Sequence, residues 1–429
     1  MFWSTLIGLL VASAGTGIAL GVALGLTGLT ILHFFAGGAT SLAIDAIWNV
    51  FNSFTLSAVP LFILLGEILL RSGVSERAYT ALTPLFRRVP GGLLHTNIAV
   101  CTLFGAVSGS SLSTAAAVGS VAYPEMVKRG YDKRAVVGSL AGGGTLGLLI
   151  PPSLSLLIFG ALTETSIGRL FIAGVIPGLM VSLMFMIYIF GLCIRQPHIS
   201  PRSDEQTTWR VLFAGLKELW PLLFLILAIV GSIVVGLATP TEAAAVGVVL
   251  AAVVSFIWGD LTMQKLGEGI YRSTLLFTSI GFVVLGATIL AQSVSILGVP
   301  QAILEATQES GLGKYGVFII IIVIYLLLGC VFDGLSLMIM TLPIVFPLLT
   351  SMGFDPVWIG VIITVMIEIG QVTPPVGLNL SVLAALTGNE VNLGQVAIAT
   401  IPYWSILILA VAILTVMPAI ALFLPNLAF

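Results

Sequence analysis

The sequence predicts an all-α polytopic membrane protein built from two inverted-topology repeats, each holding a re-entrant helical hairpin and a proline-broken helix. Three observations carry that prediction. Of 429 residues, 58% are hydrophobic and only 8% charged, and mean hydropathy is +1.17, so polar surface is too scarce to clothe a soluble domain of this length. Landmarks then recur at a constant offset of 223 residues: Pro124, Gly130, Asp132, Gly147, Pro151 and Pro152 match Pro347, Gly353, Asp355, Gly370, Pro374 and Pro375. Looser echoes pair Gly66 with Gly286, Ala161-Leu162-Thr163 with Ala385-Leu386-Thr387, and Pro177 with Pro402. The third observation is where the cations fall. In a chain this apolar, a duplicated set of hairpins and broken helices points to a secondary transporter with its binding site at the repeat interface.

Taken in order, apolar runs predict helices near Trp3–Gly15, Gly17–Phe35, Phe54–Leu70, Arg134–Gly160, Arg169–Ile194, Leu219–Leu237, Thr241–Trp258, Ser273–Leu297, Val357–Leu383 and Val396–Phe423. Most approach the roughly 20 residues that cross a hydrocarbon core. The N-terminal run has no basic stretch before it and continues past a normal cleavage region, which favours retained helices over a cleaved signal. Ile44–Phe51 and Leu261–Ile270 are half polar and suit interfacial helices. Gln196 to Leu216 is expected to be a polar linker.

Leu93–Met126 and Tyr315–Leu349 are too long for one helix, too short for two crossings, and polar in the middle. Arg71, Arg77, Arg87 and Arg88 precede the first, and Lys128, Arg129, Lys133 and Arg134 follow it. Positive residues stay inside, so both flanks are cytoplasmic and the segment must double back. The second is flanked by Glu305, Glu309 and Asp355, with Lys314 as its one nearby cation, and is expected to open outward. Continuing the path places both termini outside.

Chemistry is expected where backbone breaks at membrane depth, because unpaired polar groups there must line a cavity or be buried in protein. The first tip is Ser108-Gly109-Ser110-Ser111-Leu112-Ser113-Thr114, whose hydroxyls and carbonyls suit Na⁺ and whose exposed amides suit an anion. Ile150-Pro151-Pro152-Ser153 breaks the next helix by removing two donors, freeing carbonyls toward the tip. Phe332-Asp333-Gly334-Leu335-Ser336 is the second tip, facing Thr373-Pro374-Pro375-Val376-Gly377-Leu378-Asn379. No Lys or Arg follows Lys314, so Na⁺, amide dipoles or a proton must offset Asp333. Glu368 either joins that site or lines a polar contact, Glu242 reads as a helix-capping acid, and Glu67 faces a partner helix or the moving part.

Other classes fit poorly. Cys101, Cys193 and Cys330, like His33, His95 and His198, lack metal-ligand spacing, so no transition metal and no organic cofactor is expected. Gly105-Ala106-Val107-Ser108-Gly109 is not a G-x-S-x-G elbow, which leaves an intramembrane hydrolase on Ser108 or Ser110 a poor rival. Neither a P-loop nor H-E-x-x-H is present.

Ala58-Val59-Pro60-Leu61-Phe62, Ser108-Gly109-Ser110, Pro124-Glu125-Met126 with Gly130-Tyr131, Ile150 to Ser153, Thr165-Ser166-Ile167, Leu170 to Gly174, Pro177-Gly178, Thr239 to Ala244 and Thr373 to Gly377 form an ordered series. In that order the chain resembles the large membrane subunit of tripartite ATP-independent periplasmic (TRAP) transporters along essentially its whole length.

The resemblance implies an ion-transporter-superfamily elevator in a bacterial or archaeal cytoplasmic membrane, importing an organic acid anion with Na⁺ as coupling ion. Its partners would be a separate small four-helix membrane subunit and a periplasmic substrate-binding protein, with no nucleic acid involved. Carried over, one sodium site maps to Ser108, Gly109, Ser110, Ile150, Pro151, Pro152 and Ser153. The other maps to Phe332, Asp333, Gly334, Thr373, Pro374, Pro375 and Gly377. Substrate would lie between the tips, near Ser111, Thr114, Ser153, Ser336 and Asn379. Residues 1–92, 169–272 and 273–314 would be scaffold and connections, 93–168 and 315–394 the transport domain, and 395–429 a C-terminal helix. The alternative is a stand-alone Na⁺/anion symporter of the same superfamily.

Overall fold

The computed structural model describes residues 2–15, 17–201, 209–309, 311–388 and 390–429, and the regular elements among them are all helical. The first half runs α1 (Phe2–Gly15), α2 (Leu20–Phe34), α3 (Ser41–Phe51), α4 (Ala58–Arg71), α5 (Val74–Phe86), α6 (Leu93–Ser108), α7 (Ser111–Lys128), α8 (Lys133–Leu149), α9 (Leu154–Thr163) and α10 (Ile167–Arg195). The second runs α11 (Trp209–Glu218), α12 (Trp220–Val234), α13 (Pro240–Ile257), α14 (Met263–Ile296), α15 (Val299–Glu309), α16 (Lys314–Gly329), α17 (Gly334–Ser351), α18 (Pro356–Gln371), α19 (Leu378–Leu386), α20 (Leu393–Val416) and α21 (Ala419–Ala428). Among the described residues, six helices are long and apolar enough to cross a membrane, counting α8 with α9 as one. The protein is a multi-pass membrane protein.

Five elements depart from the sequence expectation, among them α15, an amphipathic helix that no apolar run marks. α14 is one helix of 34 residues where an interfacial segment and a separate span are expected, because no Pro interrupts the stretch and Thr262 caps it by accepting from the N–H of Lys265. Val396–Phe423 is two helices, since α20 stops at Val416 and Pro418 cannot continue it. α5 escapes a search for apolar runs because it is amphipathic and exposes Glu76 and Thr80. In the expected linker, α11 begins at Trp209, while 202–208 lie outside the described residues.

Packing across the halves is reciprocal. α2 of the first half lies along α14 of the second, and α13 lies along α4. α9 packs on α17 while α19 packs on α7, and α8 meets α20 while α18 meets α10. The α2–α14 contact is closest at Gly21 and Gly286, where a Cβ added to Gly286 would sit 1.9 Å from the Gly21 carbonyl oxygen. Inside each half a glycine pair sets the crossing of hairpin and broken helix. A Cβ on Gly105 would lie 2.7 Å from Gly147 Cα, and one on Gly370 2.8 Å from Gly329 Cα. Only side-chain-free positions let backbones approach this far.

Among the ionic links between the halves, one lies just past the end of α7. Lys133 Nζ donates to Glu390 Oε2 at 2.8 Å, and Tyr123 OH donates to the same oxygen at 3.0 Å. These bonds, Lys133 first, hold the Glu390 carboxyl below its ordinary value of 4.5. A depressed folded value stabilises above the unfolded one and loses that contribution as pH falls through the folded value. Melting curves of wild type and Glu390→Gln should therefore differ near neutrality and converge on acidification below the carboxylate range. Equal melting at every pH would show the link contributes nothing.

Candidate functional site

Both tips meet their own breaks. α6 ends at Ser108, Gly109 turns the chain at φ 60°, and Ser110 starts α7 as its cap, accepting from Ser113 N–H at 3.4 Å. α8 ends at Leu149 and α9 begins at Leu154, whose N–H donates to Gly109 O at 3.3 Å. In the second half Asp333 caps α17, accepting from the Ser336 N–H and hydroxyl at 3.1 Å each. Val376 N–H donates to Cys330 O at 3.1 Å, the counterpart of the first bridge. Both Pro–Pro peptides are cis. The residues mapped to each sodium site are thus brought together around one tip and one break.

The halves also touch each other here. Asn379 Nδ2, in the first turn of α19, donates to Ser111 Oγ, in the first turn of α7, at 2.7 Å. Thr364 Oγ1 on α18 donates to Ser155 Oγ on α9 at 3.3 Å. α7 and α19 run alongside one another in the same direction, from Ser111 beside Asn379 to Tyr123 beside Glu390, so two half-helix N-termini from opposite halves lie side by side, and positive dipole ends favour an anion there. The C-terminal ends of α8 and α18 stop at the breaks, where negative dipole ends and freed carbonyls favour cations.

Of the residues expected near substrate, Ser111, Thr114, Ser153 and Asn379 are buried and already engaged. Thr114 Oγ1 donates to Ser110 O and contacts Ser108 Oγ, each at 2.7 Å. Ser153 Oγ contacts Ser155 Oγ at 2.9 Å and bonds Leu148 O. Ser336 is half-buried, as are Ser110 and Ser113 beside the first tip. The two breaks differ in their surroundings. Ile150 to Ser153 are buried, closed over by Gly66 of α4 against Ser108 O and by Gly174 and Gly178 of α10 against Leu149 O and Ile150. Pro374, Pro375 and Val376 are exposed.

Ser155, Thr364 and Gln371 go unremarked in the sequence reading. The signal for two of them was there: Thr364, Glu368 and Gln371 recur at helical spacing as a polar stripe on an otherwise apolar α18. Glu242 has the capping role expected of it, accepting from the Thr239 N–H at 2.8 Å in a reciprocal capping box. Glu67 faces Arg71 one turn along α4, 3.4 Å away.

The family model described as "Tripartite ATP-independent periplasmic transporter, DctM component" matches residues 6–420. The chain belongs to the DctM component of the TRAP transporter family. It is 37% identical over 406 residues to the C4-dicarboxylate TRAP transporter large permease protein DctM of Pseudomonas aeruginosa, covering 94% of this chain and 93% of that one. To the ectoine TRAP transporter large permease protein TeaC of Halomonas elongata it is 36% identical, covering 87% of each. In fold, the DctM-family chain is similar to the YdaH transporter of Alcanivorax borkumensis, with TM-score 0.61 at 14% identity over 90% of both chains. As a large TRAP permease subunit it is a transport protein and not an enzyme.

Proposed function

We propose that this DctM-family permease imports a small organic acid anion together with Na⁺, as the membrane channel of a three-part system. The observation that carries the reading is the Asn379–Ser111 contact, which sets two half-helix N-termini from opposite halves side by side, near two helix C-termini. An anion at the former and cations at the latter compensate one another without Lys or Arg. Ser108 to Ser110 with Ile150 to Ser153 hold one Na⁺, and Phe332 to Gly334 with Thr373 to Gly377 hold the other. Relatives named for C4-dicarboxylates and for ectoine fit a site of backbone and hydroxyl groups that grips a carboxylate.

Hairpins and broken helices form the moving transport domain and the remaining helices its scaffold, in two inverted repeats; the reciprocal packing of α2 on α14 and α13 on α4 supports that arrangement. Movement as an elevator switches access without exposing backbone to lipid. The subunit sits in the cytoplasmic membrane with both termini outside, beside a small membrane subunit and a periplasmic binding protein. Each net charge moved through 100 mV supplies ~2.3 kcal/mol, so two Na⁺ with a monoanion support about fifty-fold accumulation.

Reconstitution tests this. Proteoliposomes holding the chain, its small partner and the binding protein should accumulate succinate or ectoine only under an inward sodium gradient. Uptake by the chain alone would favour the stand-alone symporter, and uptake indifferent to sodium would overturn the coupling.

A further inference from the structure

Two carboxylates lie deep in the helical bundle, and their surroundings differ. Glu67 has Arg71 beside it, and Arg71 Nη1 reaches on to Glu268 at 3.0 Å. Glu368 on α18 is 0% exposed, and neither of its oxygens receives a hydrogen-bond donor or a cation among the described residues. It lies four residues after Thr364, whose hydroxyl leads through Ser155 toward the first break. It lies three residues before Gln371, which is 5% exposed and whose amide nitrogen lies against Gly334 at the second tip. Gln371 Oε1 also lacks a donor. At the end of α18, Val372 N–H turns to Ile369 O and Gly370 O instead of Glu368 O, so the negative end of the helix dipole falls at the same place.

The charged and titratable groups on helices packed against α18 make their contacts elsewhere or stand at helix ends. Tyr325 of α16 bonds Thr341, and Asp333 at the head of α17 bonds Ser336. Tyr403 of α20 packs edge-on to Phe185 and Tyr188 of α10. Lys133 at the start of α8 is bound to Glu390, and Arg169 at the start of α10 to Asn426 of α21. Arg134, Arg195 and Lys314 sit at the far ends of α8, α10 and α16. A lone carboxylate in an apolar interior costs several kcal/mol, yet here a second bare oxygen and a helix carboxyl end add to its negative potential.

We propose that Glu368 is the seat of a bound monovalent cation, Na⁺ or a proton, held between the two breaks with Gln371 Oε1 as its neighbouring ligand. Carboxylate and amide oxygens are hard donors that suit either ion. The assignment does not depend on sodium occupying the breaks, nor on which solute is carried.

The test uses the full-length chain in nanodiscs and follows melting temperature against NaCl, at ionic strength held constant with choline chloride, and against pH. If Na⁺ sits at Glu368, wild type is stabilised at each tenfold rise in sodium by one more bound ion than Glu368→Gln. If a proton sits there, wild type loses stability as pH rises and Glu368→Gln does not. Identical sodium and pH dependence in the two proteins would overturn the proposal. Should Glu368→Gln fail to assemble, Gln371→Met carries the test: a weakened sodium or pH dependence supports the site, and an unchanged one overturns it. Neither outcome touches the transport reading, which sodium-driven uptake tests separately.

Discussion

Gly286→Leu is expected to separate α2 from α14 and leave the protein unable to assemble. A Cβ at this position would meet Gly21 O at 1.9 Å and Gly21 C at 2.7 Å, so backbone stands where the side chain must go. Rotamers cannot relieve such a clash, and overpacking that shifts backbone costs 1–3 kcal/mol or more; we expect a loss above ~3 kcal/mol. Gly281, on the same helix, has nothing within 4 Å, so Gly281→Leu is the matched control. Fluorescence-detected size exclusion with a thermal ramp reads both. Equal behaviour of the two variants would show that the α2–α14 contact is not held by close approach.

Asp333→Ala should abolish sodium-dependent uptake, and Asp333→Asn should separate the two tasks of this side chain. As cap of α17 the carboxylate accepts from the Ser336 N–H and hydroxyl, a role worth ~1 kcal/mol that Asn retains and Ala does not. As a charge at the second tip it has no Lys or Arg paired with it among the described residues, and Asn removes that charge. We therefore expect Asp333→Asn to melt like wild type but need at least about tenfold more sodium for half-maximal uptake, a loss of ~1.4 kcal/mol in cation binding. Unchanged sodium dependence in Asp333→Asn would reduce the residue to its capping role.

Much of this was legible because Pro, Gly and charge act locally. Pro151-Pro152 and Pro374-Pro375 interrupt helices wherever they stand, and the sequence reading places both breaks within the residues where α8 and α18 end. Ser110, Asp333, Asp132 and Asp355 cap helices through donors two or three residues ahead, so their positions also follow from the chain alone. What escaped depends on partners distant in sequence. Ser155 matters only because Thr364 arrives from the other half, and the bond from Asn379 to Ser111 spans 268 positions of sequence. No periodicity encodes that the duplicated breaks should differ in cover.

That difference carries a consequence for order. The first break lies beneath α4 and α10, and whatever it holds trades with the surroundings only after those helices part. Among the described residues no helix roofs Val376 and its neighbouring prolines, which are exposed. Of the two ions we propose at the breaks, the one in the second half should therefore trade with its surroundings the more freely, an asymmetry set by packing.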